Sequence, residues 1–235
     1  MTLPALPSRR GIRSFVRRAG RVTRAQRRAL ETLWPRYGIN LACAPGDFFG
    51  RPGPLMLEVG FGMGDALVAM AESHPERNYL GVDVYPPGIG SALLKIDARG
   101  LGNVRLLRAD ATDLLVTLGN ASLQGVLVFF PDPWPKKRHH KRRLVQAPFV
   151  ELVSEKLQSG GKFELATDWE PYATEMLSLI DGHRRFINLS GKGQFALRPG
   201  DRPESKFQCR GERLGHAIFD LIFERRGASP SESRR

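Results

Sequence analysis

Cysteine is almost absent. Cys43 and Cys209 are the only two in 235 residues, and neither sits at a CxxC or Cys/His spacing. That scarcity argues against a metal centre and a disulfide framework, and it predicts a reducing, cytoplasmic compartment. Long apolar runs are missing too: no stretch approaches the roughly 18 uninterrupted apolar residues of a membrane helix, so no membrane span is expected. The basic start has no apolar segment behind it, which excludes a secretory signal. An organelle transit peptide would share the arginines and the lack of acids, but such peptides are also serine-rich, and only Ser8 and Ser14 precede position 30. The arm is therefore read as part of the mature protein. Internal repeats are lacking, and the one low-complexity piece is the polar end GASPSESRR, expected to be disordered.

Acid is also missing where it matters. Residues 1–30 hold nine arginines and no Asp or Glu, and residues 136–143 add six more lysines or arginines. With those fifteen set aside, 21 bases face 24 acids, so the net charge of +12 belongs to two segments and the rest of the chain is slightly acidic. A basic excess so confined is the footprint of a polyanion contact, nucleic acid ahead of an anionic membrane surface. A solvated charged face is the plainer alternative.

An apolar content of 41% suits one sizeable α/β domain. We divide the chain into a basic arm (1–40), a catalytic-type α/β domain (41–226) and a tail (227–235). Within the arm, AQRRALETLWPRYG spaces Ala25, Ala29, Leu30 and Leu33 as a short helix halted at Pro35. From Leu55 strands and helices alternate: PLMLEVG, NYLGVDV, NVRLLRAD, GVLVFF and KFELAT read as strands. DALVAMAESH, ALLKIDARG, a segment near Leu114, APFVELVSEKL and the stretch after Pro171 read as helices. A closing pair around RFINLS and HAIFDLIFERR completes the set. This alternation predicts a doubly wound, mostly parallel sheet covered on both faces, with an antiparallel last strand.

In such a sheet, ligands bind beyond the carboxyl ends of the strands, where the strand order reverses. The first strand runs into Glu58, Gly60, Gly62, Gly64 and Asp65, a GxGxG rather than a GxGxxG, since aspartate stands at position 65. Alternate glycines permit a sharp turn and close backbone approach. Asp65 and Glu58 would repel a pyrophosphate and welcome a cationic centre, which favours the sulfonium of S-adenosylmethionine over a dinucleotide. A purely structural turn is the plainer reading. Asp83 ends the second strand, 23 residues after Gly60, where a carboxylate can accept ribose hydroxyls; Asp110 ends the third, within reach of an adenine amino group. Either acid alone could equally cap a helix. Three at successive strand ends describe a nucleoside pocket.

The fourth strand ends in PDPWPKKRHHKRR, an acid held at a strand tip beside a strong positive field. With GFGMG, GVDVY, ATDWEPYA, RPESKFQCRG and the upstream IRSFVRRAGRVTRAQRRALE, this motif closely resembles the bacterial tRNA (guanine-N7)-methyltransferase family, from about Ile12 to Arg226. The resemblance implies a Rossmann-like class I methyltransferase that moves a methyl group from S-adenosylmethionine to N7 of guanine 46 in the tRNA variable loop. It implies Glu58, Asp83, Asp110 and Asp132 around the cofactor, with Asp132 also catalytic. Lys136, Asp168, Ser205, Lys206, Phe207 and Gln208 fall on substrate-contact positions. Arg138, His139, His140, Lys141, Arg142 and Arg143 fall on the RNA-contact segment. The family's usual Thr-Lys-Phe-Glu is Ser205 to Gln208 here, and its usual second-strand Glu is Asp83. Both a monomer and a homodimer stay open.

The chemistry suits these residue types on its own terms. Guanine N7 has a lone pair and no hydrogen, so no base need remove a proton, and catalysis reduces to alignment. A fixed carboxylate stabilises the cationic purine as it forms; Asp132 is the candidate, then Asp168, for which capping the next helix is an alternative role. Trp134 either stacks on an unpaired base or packs beneath its own loop. His139 and His140 are assigned to the RNA face because no third ligand accompanies them. Rival readings are an RNA-binding protein without catalysis, an exocyclic-amine methyltransferase (whose D-P-P-Y/W motif resembles D-P-W) and a small-molecule methyltransferase, which would leave the clustered bases without a role.

Overall fold

A computed structural model describes residues 20–41, 48–200, 202–203 and 217–227. Cys43, Cys209, residues 1–19, Ser205 to Gln208 and the tail from 228 lie outside the described residues. Strands β1 (Gly38–Ile39), β2 (Leu55–Val59), β3 (Asn78–Val82), β4 (Val104–Leu107), β5 (Leu123–Phe129), β6 (Leu157–Thr167), β7 (Phe186–Asn188) and β8 (Phe219–Arg225) form one sheet. Their order is β1-β4-β3-β2-β5-β6-β8-β7. The first six run parallel, and β8 pairs antiparallel with both β6 and β7. The order reverses between β2 and β5, so their carboxyl ends open the crevice that such sheets use for ligands.

Burial follows the two-residue period of a strand. On β2, Leu57 and Val59 join the apolar cluster under α5 (Ala111–Thr117), α6 (Ala147–Lys156) and α7 (Glu170–Asp181). Met56 faces the opposite cluster, under α1 (Arg24–Thr32), α3 (Asp65–Ser73) and α4 (Pro86–Ala98). A short helix α2 (Trp34–Tyr37) follows α1. Both faces of the sheet are thus covered, as the near-continuous apolar strands require.

Three expectations change. Pro35 does not halt the arm's helix; it occupies the first turn of α2, where its missing N–H costs nothing. Ala25 is exposed, and Ala29 is the buried residue of α1. Nor does the arm remain separate to residue 40. A reciprocal capping box starts α1, with Gln26 N–H donating to Thr23 Oγ1 (3.2 Å) and Thr23 N–H to Gln26 Oε1 (2.9 Å). Helix α1 then packs on α4, and β1 adds an edge to the sheet beside β4. Residues 24–39 belong to the packed body, a placement that basic composition concealed because the arginines line the solvent side of α1.

Candidate active site

The turn after β2 has Gly60, Gly62 and Gly64 at φ of +71°, +55° and +76°, a region that L side chains rarely adopt. A Cβ on Gly60 or Gly62 would meet nothing within 4 Å, so the backbone there fronts open space. A Cβ on Gly64 would lie 2.6 Å from that of Ala92, so this third glycine lets α3 approach α4. Asp83 fastens the turn: Gly62 N–H donates to Oδ2 (2.8 Å) and Tyr85 N–H to Oδ1 (2.9 Å). Asp65, expected to add to the negative field of the turn, is instead ion-paired with Lys95 at 2.5 Å. Its charge is neutralised locally, and the field of the crevice comes from the other acids.

Glu58 is 3% exposed, between Gly81 of β3 and Leu127 of β5, and its Oε2 has no hydrogen-bond partner among the described residues. Burial, then repulsion from Asp83, pushes its pKa up to about 8. Asp83 is also raised, first by burial; the N–H groups of Tyr85, Gly62 and Val84 oppose this, and the charge of Asp132 adds to it. Asp132 thus acts on the same crevice. Asp110 caps α5, its Oδ1 accepting from Thr112 N–H at 2.8 Å, so capping is observed here; a carboxylate has further lone pairs for a second donor. Buried acceptors normally have donors. A ligand carrying ammonium and hydroxyl groups across the glycine turn would supply them, and these residues fit such a group.

Asp132 lies in a contorted turn. Phe130 and Trp134, large non-glycine residues on either side of it, have φ of +52° and +44°. Beyond it, residues Lys137–Arg142 form a 3-10 turn whose Lys137, Arg138, Lys141 and Arg142 are exposed, as is the preceding Lys136. Burial, and then the charges of Arg142, Arg138, Lys136 and Lys141, lower the pKa of His139. Trp134 packs edge-on against His139 (5.7 Å between ring centres), and the Arg142 guanidinium covers its ring at 5.0 Å. The packed alternative for Trp134 is the one observed.

Arg143 departs from its expected role. Its side chain is 1% exposed and ion-paired with Glu175, while Nε donates to Pro133 O at 2.9 Å. A buried, paired guanidinium grips no phosphate, so Arg143 leaves the RNA-contact set. His140 turns partly inward, its Nε2 3.1 Å from Arg143 Nη2.

Asp168 follows β6 at the same edge of the sheet. It stands one position before Trp169, the N-cap of α7. Sequence reasoning missed a further pair: Arg202, 3% exposed, meets Asp220 of β8 at 2.7 Å and stands about 6 Å from the rings of Phe129 (6.0 Å) and Phe130 (5.9 Å). The Arg-Pro before ESKFQ was the available signal. Among the described residues no cluster of His, Cys, Asp and Glu suits a metal ion, and no helix is long and apolar enough to cross a membrane.

A sheet in this order, with a glycine turn at the switch point and acids along its carboxyl edge, is the fold of the class I methyltransferases. Solved structures agree. An rRNA methylase from Streptococcus thermophilus superposes with a TM-score of 0.50 at 12% identity, covering 88% of this chain and 100% of that one. Precorrin-6y C5,15-methyltransferase from Geobacter metallireducens GS-15 gives 0.51 at 12% identity, over 85% and 88%. At such identity the likeness speaks for the fold alone. Residues 52–221 match the family Methyltransf_4, described as "Putative methyltransferase". The tRNA (guanine-N(7)-)-methyltransferase of Yersinia pestis (strain Pestoides F) is 50% identical over 221 residues, 92% of each chain. The protein of the same name from Hydrogenovibrio crunogenus (strain DSM 25203 / XCL-2) is 48% identical over the same share. The chain belongs to the tRNA (guanine-N(7)-)-methyltransferase family.

Proposed function

We propose that this protein methylates tRNA at N7 of guanine 46 in the variable loop, with S-adenosylmethionine as donor, in the cytoplasm. The observation that carries the reading is one juxtaposition. The turn of Asp132 lies between an acidic crevice, which holds a buried carboxyl oxygen without a partner among the described residues, and an exposed basic turn. When bound, S-adenosylmethionine supplies an electrophilic methyl group on a sulfonium. In this reading Gly60 and Gly62 present backbone to it, Glu58 accepts from its ammonium, Asp83 accepts the ribose hydroxyls and Asp110 the adenine amino group.

The remaining work is alignment and charge. Guanine N7 presents a lone pair without a proton, so the side chains need only hold the ring and offset its developing positive charge. Asp132 does both, with Asp168 facing it from the next strand end. Lys136, Arg138, His139, Lys141 and Arg142 grip phosphates without reading sequence, and His140 lends its outer ring nitrogen. Phosphates beside His139 would counter the charges that lower its pKa. Ser205, Lys206, Phe207 and Gln208 are assigned to the substrate through the resemblance alone. Ser205 keeps the hydroxyl of the family's Thr, while Gln208 has no charge.

The test is a methyl-transfer assay on unmodified tRNA, followed by mass spectrometry of the nucleosides. We expect 7-methylguanosine at position 46 from the wild type. Asp132→Asn should slow transfer by about a hundredfold or more while leaving tRNA affinity within about threefold. An exocyclic methylamine as product would overturn the reading.

A further inference from the structure

Asp132 is catalytic only if its turn holds one shape, and that shape is unfavourable. Left-handed backbone at Phe130 and Trp134 costs free energy at each residue and persists only where the surroundings over-determine it. On the strand side the constraint is visible: Phe130 N–H donates to Ala166 O at 2.7 Å, extending the β5 to β6 ladder. On the other side the candidate is Arg143.

Its guanidinium is a junction of four partners. Nε donates to Pro133 O (2.9 Å), inside the strained turn; one Nη meets Glu175 of α7 and the other His140 (3.1 Å) of the basic turn. The plane stands 4.6 Å from the ring of Tyr172, itself fully buried, whose hydroxyl accepts from Val145 N–H at 3.0 Å. Gln146 Nε2 then donates to Arg143 O at 2.7 Å, fixing the backbone of the residue itself. A planar fork serves three directions at once; a lysine ammonium on a flexible stem does not reproduce that geometry.

We propose that Arg143 is the positioning residue for Asp132: anchored on α7 through Glu175 and Tyr172, it holds the Phe130–Trp134 turn by its bond to Pro133. The same cation docks the basic turn through His140, so one buried side chain registers the RNA-facing lysines and arginines against the carboxylate. This assignment rests on the proposed function for the role of Asp132, but the clamp itself is a property of the fold.

Arg143→Lys and Glu175→Gln test it, with Arg138→Ala as an exposed comparison. We expect Arg143→Lys to lower kcat about ten- to a hundredfold, as small misplacements of a reacting group do. The KM for tRNA and its salt dependence should stay within about twofold, because every side chain that grips a phosphate is still present. Arg138→Ala should do the reverse, raising KM and flattening the salt slope with kcat retained. If Arg143 acts through Asp132, combining Arg143→Lys with Asp132→Asn should slow transfer little beyond Asp132→Asn alone. Glu175→Gln, at a half-exposed position that tolerates the change, should give a smaller loss of kcat.

Hydrogen exchange supplies a readout independent of turnover. Amides of residues 130–142 should exchange about tenfold faster or more in Arg143→Lys, while β2 and β5 keep their protection. Unchanged exchange there, or a raised KM with intact kcat, would overturn the assignment. A loss of kcat that is merely additive with Asp132→Asn would do so too. A wild type that forms no 7-methylguanosine would instead defeat the proposed function, with the exchange result still deciding for or against the clamp.

Discussion

Glu58 places an ionisable group where its charge is least welcome. Its pKa of about 8 in the folded protein, against an ordinary 4.5, means that the folded state keeps a proton which the unfolded state has released between those values. Stability drawn from that proton is fully present below about pH 4.5 and drains away as pH rises through 8. Without ligand, stability should therefore fall from pH 5 to 8 by up to about 1.4 kcal/mol per pH unit. Thermal unfolding across that range checks it, and Glu58→Gln should flatten the slope. A cation bound beside Glu58 would favour the carboxylate and expel its proton. Calorimetric titration with S-adenosylmethionine near pH 7, in buffers of different ionisation enthalpy, should then reveal proton release; heats independent of buffer would remove Glu58 from the ligand site. The acids at 58, 83, 110 and 132 were legible as strand-end residues. The burial of Glu58, the Lys95 partner of Asp65 and the burial of Arg143 were not, because each depends on what other elements bring alongside.

Helix α4 shows the same division among elements. Its helical pattern was clear from Ala92 onward, yet it begins at Pro86, six residues earlier. The segment PPGIG lies ahead of the pattern, and Pro86 and Pro87 sit in the first turn, where proline is tolerated. The glycines are points of close approach. A Cβ on Gly88 would collide with Gly62 O, and one on Gly90 would lie 2.8 Å from Gln26 Cβ. One helix therefore leans on the glycine turn with one residue and on the arm with another. Gly88→Ala should weaken S-adenosylmethionine binding about tenfold or more by pushing the Gly62 backbone, at an overpacking cost of about 1–3 kcal/mol. Gly90→Ala should lower the melting temperature by displacing α1 while leaving cofactor affinity nearly unchanged. Calorimetric titration and thermal unfolding of both variants separate the two contacts, and equal effects on affinity would contradict the division.

At the scale of the whole molecule, charge is sorted by location. Acids gather at the carboxyl edge of the sheet, and bases occupy the turn beyond Asp132 and the solvent side of α1, where Arg24, Arg27 and Arg28 are exposed, as is Arg21 just ahead of the helix. A polyanion drawn to such a surface releases counterions, so affinity falls with salt in proportion to the phosphates neutralised. Deleting residues 1–20 removes Arg9, Arg10, Arg13, Arg17 and Arg18. The slope of log affinity for tRNA against log salt should become shallower by about 0.7–0.9 for each phosphate that these arginines neutralise. An unchanged slope would show that this part of the arm does not touch the RNA.

Periodicity, glycine spacing and the position of acids after apolar runs determined the class of fold and the edge of the sheet at which the glycine turn and the acids gather. These are local properties: a strand of alternating or continuous apolar residues and a turn that tolerates left-handed backbone are written within a few neighbouring positions. Only the tertiary structure decided which charges are free to meet a ligand or RNA. Asp65 and Arg143 look in sequence like members of an acidic turn and a basic run, but each is neutralised by a distant partner, Lys95 at 30 positions and Glu175 at 32. Coulomb energy and desolvation depend on distance in space and on burial, and neither is carried by order along the chain.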